Sequence, residues 1–87
     1  MKNFTSEHKG KIAVVHSNVD KLDSTNAPEL KSLFIHLNNG SNNKLVLDLG
    51  ATKYCDSSGL SAILIANRLC KDTNGSFSIA NLQSNVL

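Results

Sequence analysis

The chain has 87 residues, 40% of them hydrophobic, and a formal net charge of +2 at pH 7. This length and this hydrophobic content predict one folded domain over residues 1–87 with a modest core, rather than a disordered chain. Basic residues form no cluster and aromatic residues make up only 5% of the chain, which argues against a nucleic-acid-binding protein.

The first part of the chain predicts a hairpin followed by a helix. A weak strand pattern over Phe4–Lys9 and a stronger one over Ile12–His16 flank a tight turn at Gly10, which predicts two antiparallel strands. A loop is predicted from Asn18 to Asp23. The first helix then begins near Asn26, whose side chain could cap its first turn.

One apolar stripe marks this first helix. Pro28 suits the first turn, and Glu29 lies three residues after the expected cap. The stripe recurs at helical spacing and consists of Leu30, Leu33, Phe34 and Leu37. A polar segment over residues 38–43 is predicted to end the helix and form a loop.

The second half predicts a buried strand, a long helix and a last strand. Leu45–Leu49 is nearly continuous apolar sequence, as in a central strand that is buried on both faces. A helix is predicted from Ser57 to about Lys71, a strand over Ser76–Ile79, and the first turn of another helix at residues 84–87. The fold class is therefore α/β, a small mixed β-sheet with helices packed on it.

The second helix carries two groups of apolar residues. Ala62, Ile63, Ile65, Ala66, Leu69 and Cys70 fall on one broad arc, which we expect to face the sheet. Leu60 and Leu64 fall outside this arc, near Ser61 and Arg68. They could pack under a neighbouring helix, or they could form a docking surface.

The cysteines and the apolar runs bear on the cellular compartment. The longest apolar run is far too short to span a bilayer, and no signal peptide opens the chain. Cys55 and Cys70 are predicted near opposite ends of one helix, roughly 20 Å apart, which is too far for a disulfide. We therefore expect a cytoplasmic protein with free thiols and no membrane partner. His8, His16 and His36 have no metal-ligand spacing with either cysteine, so no metal site is expected.

The segment Asp56–Leu60 carries the strongest functional signal. It follows the buried strand and opens the second helix, where unpaired backbone N–H groups and the helix dipole favour negative charge. A serine there can cap the helix, and a phosphate there can be held without melting it. Plain capping and a phosphorylatable switch serine are both compatible with these positions. The Asp-Ser-Ser-Gly context favours the switch.

Other functions of the same residues are less well supported. A hydrolase elbow of the form Gly-x-Ser-x-Gly is disfavoured, because neither serine has the required glycine before it. A phosphoacceptor receiver domain would use Asp48, but the acidic pair it needs after its first strand is replaced by His16–Asn18. Asp23, Asp48 and Asp56 could gather around a divalent ion, although solvated or capping carboxylates are the favoured interpretation.

Three segments, Leu22–Leu30, Leu45–Leu49 and Tyr54–Leu60, resemble the STAS family, the domain shared by sulfate-transporter tails and bacterial anti-sigma factor antagonists. The resemblance covers essentially the whole chain and is greatest to the stand-alone antagonists. It implies that Ser58 is phosphorylated by an anti-sigma factor that is a serine kinase. Asp56 would be the acidic neighbour, with Ser57 as the capping hydroxyl and Gly59 completing the motif.

The resemblance also implies a partner-switching cycle without catalysis or a cofactor. The unmodified antagonist binds the kinase and frees the sigma factor, the phosphorylated form releases the kinase, and a serine phosphatase resets it. We expect the partner surface to comprise Asp23, Ser24, Thr25, Leu60, Ser61 and Leu64. The alternative is a STAS scaffold that is not phosphorylated, or a nucleotide-binding regulatory module.

Two features depart from the family pattern. The family usually continues with a helix, a strand and often a last helix, so a chain that ends at Leu87 is expected to lack them. The family also favours a glycine shortly before the Leu22-Asp23 pair, where this chain has Val19–Lys21.

Overall fold

The computed structural model describes residues 2–39 and 44–82, which contain two helices and six strands. In chain order these are β1 (Phe4–Lys9), β2 (Ile12–Ser17), β3 (Lys21–Leu22), α1 (Ala27–Asn39), β4 (Lys44–Asp48), β5 (Tyr54–Cys55), α2 (Ser57–Asp72) and β6 (Ser76–Ala80). The predicted order of four strands and two helices is confirmed. The predicted helical turn at residues 84–87 lies outside the described residues.

The main sheet has the strand order β1-β2-β4-β6 and is mixed, as predicted. β1 and β2 form an antiparallel hairpin, while β2 with β4 and β4 with β6 are parallel pairs. Gly10 has a φ of 64° in the hairpin turn, a conformation that glycine adopts without a steric penalty. β2 and β4 are therefore the two inner strands, and Leu45 of β4 lies between Ala13 and Phe77.

A second sheet was not predicted from the sequence. β3 and β5 pair in parallel over only two residues each, with Lys21 opposite Tyr54 and Leu22 opposite Cys55. Backbone hydrogen bonds continue this pairing, since the Asp56 N–H donates to the Leu22 carbonyl at 3.1 Å. Strands of two residues are too short to produce a periodic pattern. Their pairing joins the segment before α1 to the segment before α2.

The core lies on one face of the main sheet. Leu45, Leu47 and Leu49 of β4 and its vicinity are buried together with apolar residues of both helices. The prediction that this strand is buried on both faces is wrong, because Val46 and Asp48 point to the other face and are only half-buried. α1 and α2 pack side by side. Both helices contribute residues to the same core, so the opposite face of the sheet, which carries Val46, is more open.

The helices follow their predicted limits closely. α1 continues to Asn39, so Asn38 and Asn39 belong to the helix and not to the following loop. Beyond α2, Asn74 takes a φ of 60° and the Gly75 N–H donates to the Cys70 carbonyl at 2.7 Å, which ends the helix. Among the described residues no helix is long and apolar enough to cross a membrane.

Candidate modification and partner-binding site

The start of α2 is capped by Asp56. This residue has an extended backbone, with φ −93° and ψ −172°, and its Oδ1 accepts a hydrogen bond from the Gly59 N–H at 3.0 Å. The expectation that Ser57 supplies the capping hydroxyl is therefore wrong. Ser57 is already the first residue of the helix, and the carboxylate of the residue before it is the group that accepts from the N–H of the first turn.

The two serines of the motif have different surroundings. Ser57 is exposed, whereas Ser58 is half-buried at the edge of a groove between the starts of α1 and α2. The groove has a volume of about 360 Å³ and is lined by Ser24, Ala27, Pro28, Lys31, Ser58, Ser61, Ala62 and Ile65. Ser58 thus lines a defined groove, and Ser57 is not among the residues that line it.

Gly59 is required by close packing. An ideal Cβ at this position would lie 2.7 Å from Cys55 Sγ and 2.8 Å from both Cγ and the carbonyl oxygen of Leu22. These distances are far below ordinary van der Waals contact. The first turn of α2 therefore rests directly on the β3–β5 pair, and this contact fixes the position of Ser58.

The loop before α1 is held by its own side chains. Asp23 Oδ1 accepts hydrogen bonds from the Thr25 hydroxyl and from the Thr25 N–H, the latter at 3.0 Å. The hydrogen bond from the Thr25 hydroxyl, followed by that from its backbone, lowers the pKa of the Asp23 carboxyl. Asn26 was expected to cap α1 with its side chain. Instead its Oδ1 accepts from the Asp23 N–H at 3.0 Å, and its Nδ2 donates to the Lys21 carbonyl at 2.8 Å.

A buried threonine positions this region and was not identified from the sequence. Thr52 is fully buried, and its hydroxyl lies 2.6 Å from Ser17 Oγ and donates to the Val19 carbonyl at 2.8 Å. The Lys53 N–H donates to the Asp20 carbonyl at 2.8 Å. These bonds tie the segment before β5 to the segment before β3. A lone threonine in a loop gives no sequence signal for such a role.

The structure places the predicted partner-binding residues at three positions. Ser24 and Ser61 line the groove between the helices together with Ser58, the predicted phosphoacceptor, while Asp23 and Thr25 form the turn before α1. Leu60 and Leu64 line a second groove instead, of about 350 Å³, together with Phe77 and Ile79 of β6. The two leucines are 40% and 57% exposed, so the described residues leave much of both side chains uncovered.

A comparison with sequence models of protein families identifies the family of this chain. The sequence model of the STAS domain matches residues 3–87. The chain belongs to the STAS domain family. A search of curated proteins found no match.

Solved structures with the same fold include several anti-sigma factor antagonists. A candidate anti-sigma factor antagonist from Thermotoga maritima has 24% identity and a TM-score of 0.87, over 95% of this chain and 71% of the other. The antagonist SpoIIAA in its unphosphorylated form has 17% identity and a TM-score of 0.79, over 92% and 74%. The STAS domain of an antagonist from Rhodobacter sphaeroides has 13% identity and a TM-score of 0.74, over 97% and 94%. At these identities the likeness confirms the predicted STAS fold.

On the more open face of its sheet, the STAS domain carries a chain of polar contacts. His16 Nδ1 lies 2.8 Å from Asp48 Oδ2, and His16 Nε2 lies 3.0 Å from Glu7 Oε1. The hydrogen bond with Glu7 and then that with Asp48 raise the pKa of the imidazole. Asp48 Oδ1 also accepts from Asn81 Nδ2 and from the Gly50 N–H, each at 2.9 Å, and these bonds lower the pKa of its carboxyl.

The aspartates of the STAS domain serve separate hydrogen-bond networks. Asp23 holds the Thr25 turn, Asp48 pairs with His16, and Asp56 caps α2. Within residues 2–39 and 44–82 no group of three or more histidine, cysteine or acidic side chains could hold a metal ion. Of the three carboxylates that were expected to be solvated or capping groups, Asp56 is a cap, whereas Asp23 and Asp48 each make their own hydrogen bonds.

Both cysteines of the STAS domain are free thiols. Cys70 is buried in the core, and Cys55 is half-buried beneath the start of α2. Burial raises the pKa of each thiol, and the charge of Asp56 raises that of Cys55 further. A thiol with a raised pKa is a poor nucleophile at neutral pH. Burial therefore disfavours the thiolate form of both cysteines.

Proposed function

We propose that this STAS domain is an anti-sigma factor antagonist that is regulated by phosphorylation of Ser58. The unmodified protein binds an anti-sigma factor serine kinase in the cytoplasm, the phosphorylated protein releases it, and a serine phosphatase restores the unmodified form. The placement of Ser58 carries the proposal, because its half-buried side chain lies in the first turn of α2 and on the groove between the helices. The antagonists among the structural neighbours, including SpoIIAA in its unphosphorylated form, support it.

The expected effect of the phosphate on the fold is small. A phosphoserine carries roughly −1.5 to −2 charges at neutral pH. The N-terminus of a helix stabilises such a charge by about 0.3–1 kcal/mol. The carboxylate of Asp56, two residues away and already at the cap, repels it by a similar amount. These contributions nearly cancel, so the modified domain should remain folded.

The expected effect on partner binding is large. When a partner packs over Ser58, the hydrated phosphate must be desolvated or displaced, which costs several kcal/mol if it finds no counter-charge. Each 1.4 kcal/mol corresponds to about a tenfold change in affinity. Phosphorylation would therefore act on binding and leave folding nearly unchanged.

The proposed partner surface extends from the Asp23 loop to the first two turns of α2. It includes the exposed parts of Asp23, Ser24, Thr25, Leu60, Ser61 and Leu64. Leu60 and Leu64 add an apolar area beside Ile79 of β6. A partner that covers both grooves would bury Leu60 and Leu64 without displacing any core residue.

The test is a phosphorylation assay with ATP and a cognate anti-sigma factor kinase, followed by mass spectrometry to locate the phosphate. Ser58→Ala should abolish modification, and Ser57→Ala, the matched control one residue away, should retain it. Circular dichroism should give the same helix content for both variants. Undiminished incorporation into the Ser58→Ala protein would refute the assignment.

A binding assay with the same kinase tests the partner surface. Purified phosphorylated protein should bind at least tenfold more weakly than the parent, and Leu64→Lys should also weaken binding at unchanged thermal stability. Equal affinity of the modified and unmodified proteins would refute the charge switch. A kinase that is bound but never modifies the protein would favour the alternative of a STAS scaffold that is not phosphorylated.

A further inference from the structure

The groove beside Ser58 contains one charged side chain among its lining residues, that of Lys31 on α1. The other lining residues are serines and apolar residues. Within the described residues, the ion pairs are confined to Glu7, Lys9, His16 and Asp48, so no described carboxylate pairs with Lys31. Lys31 is exposed and therefore keeps a mobile ammonium group at the edge of the groove.

The helix geometry brings this ammonium toward Ser58. Lys31 lies one turn after Ala27 on α1, and both residues line the groove. Side chains on a helix lean toward its N-terminus, and the four-carbon stem of a lysine is flexible. Lys31 and Ser58 line one groove from opposite helices, so the flexible lysine stem can bring its ammonium toward Ser58.

We propose that Lys31 is the internal counter-charge of phosphorylated Ser58. This inference rests on the proposed function, since it concerns the modified form of the same site. The phosphate would extend from Ser58 Oγ into the groove, whose volume of about 360 Å³ exceeds that of several water molecules, at about 30 Å³ each. The ammonium of Lys31 would close over it from α1.

Such a pair has a consequence for the regulation of the site. Asp56 holds a negative charge two residues from Ser58, and Asp23 holds another in the loop before α1. Among the residues that line this groove, Lys31 is the cation that can offset these negative charges when the phosphate is added. In the phosphorylated form the phosphate and Lys31 would then occupy the groove together, which removes both the space and the cation that a partner could use.

The experiment measures the second pKa of the phosphate directly. Phosphoserine is incorporated at position 58 during synthesis of the chain, so that no kinase is needed, and the protein is titrated by ³¹P NMR. The second pKa of phosphoserine is ordinarily about 6. An exposed ion pair should lower this pKa by about 0.2–0.7 relative to a Lys31→Gln variant.

Lys71→Gln is the matched control, because it removes the same charge from the last turn of α2, at the far end of the helix from Ser58. It should leave the phosphate pKa as in the parent, and Lys31→Arg should restore the low value. The difference between parent and Lys31→Gln should shrink at 1 M salt, where the screening length is about 3 Å.

Equal phosphate pKa values in the parent and the Lys31→Gln protein would overturn the proposal. Equal increases in the Lys31→Gln and Lys71→Gln proteins would also overturn it, since they would reflect net charge alone. Because phosphoserine is built into the chain, these outcomes do not depend on the kinase. Failure of a kinase to modify Ser58 would instead refute the proposed function.

Discussion

Gly59→Ala should destabilise the domain, although alanine is the better helix former. The added Cβ would lie 2.7 Å from Cys55 Sγ and 2.8 Å from two atoms of Leu22. The thiol of the half-buried Cys55 can shift aside. The Leu22 carbonyl cannot, because it is backbone and accepts the hydrogen bond from the Asp56 N–H at 3.1 Å. The side chain of Leu22 is itself fully buried.

The expected magnitude follows from two opposing contributions. An extra carbon forced into a packed site costs about 1–3 kcal/mol. Replacing glycine by alanine in a helix interior gains at most about 1 kcal/mol, and Gly59 lies in the first turn, where the gain is smaller. We therefore expect the free energy of unfolding to fall by about 1–2 kcal/mol. For a domain of this size, each kcal/mol lowers the melting temperature by about 4–8 °C.

Urea unfolding followed by circular dichroism measures this change. Ser61→Ala, an exposed position on the next turn of α2, is the control and should stay within about 0.5 kcal/mol of the parent. Combining Gly59→Ala with Cys55→Ala should relieve part of the strain but not all of it, since the Leu22 carbonyl remains. If Gly59→Ala is as stable as Ser61→Ala, the close packing of α2 on the β3–β5 pair is not as described.

Two further predictions concern other charged groups. Asp56→Ala should cost about 0.5–2 kcal/mol in urea unfolding by removing the cap of α2, and Asp56→Asn should retain most of that stability; equal losses in both would contradict a capping role. The pKa of His16 is raised above 6.5 in the folded state, so its contribution is complete below pH 6.5 and is lost as the pH rises through the folded value. The pKa of Asp48 is lowered below 3.8, so its contribution is lost as the pH falls through that folded value. The free energy of unfolding, measured from pH 3 to pH 9, should be highest between pH 3.8 and pH 6.5. His16→Gln should flatten the decline in this free energy above pH 6.5, and an unchanged decline would refute the contribution of His16.

Periodicity predicted the parts of the fold that depend on many residues. The apolar stripe of α1, the apolar run of β2 and the alternation of apolar residues with serines along β6 are local patterns, so the sequence identifies them without tertiary information. The mixed sheet was predicted from the order of the strands and helices along the chain. The partial exposure of one face of β4 could not be predicted. The valine on that face, within Leu45–Leu49, is half-buried, and a sequence does not distinguish a half-buried valine from a buried one.

The details of the site depend on contacts between distant segments. The sequence identified Asp56, Ser58 and Gly59 as a motif, but several residues could have capped α2. The choice of Asp56 over Ser57 depends on where the backbone turns from extended to helical. The need for glycine at position 59 comes from Leu22, which is remote in sequence. Thr52 contributes through contacts that no local pattern encodes.

The β3–β5 pair makes the proposed partner surface a single cooperative unit. A two-residue sheet has few hydrogen bonds, and local opening of such elements requires less free energy than global unfolding. Its opening would remove the support beneath Gly59, because Leu22 of β3 and Cys55 of β5 lie against that residue. The first turn of α2 and the segment that leads into the Asp23 loop would therefore separate in one event. A partner that contacts both segments recognises them as one element, and its binding would in turn hold that element closed.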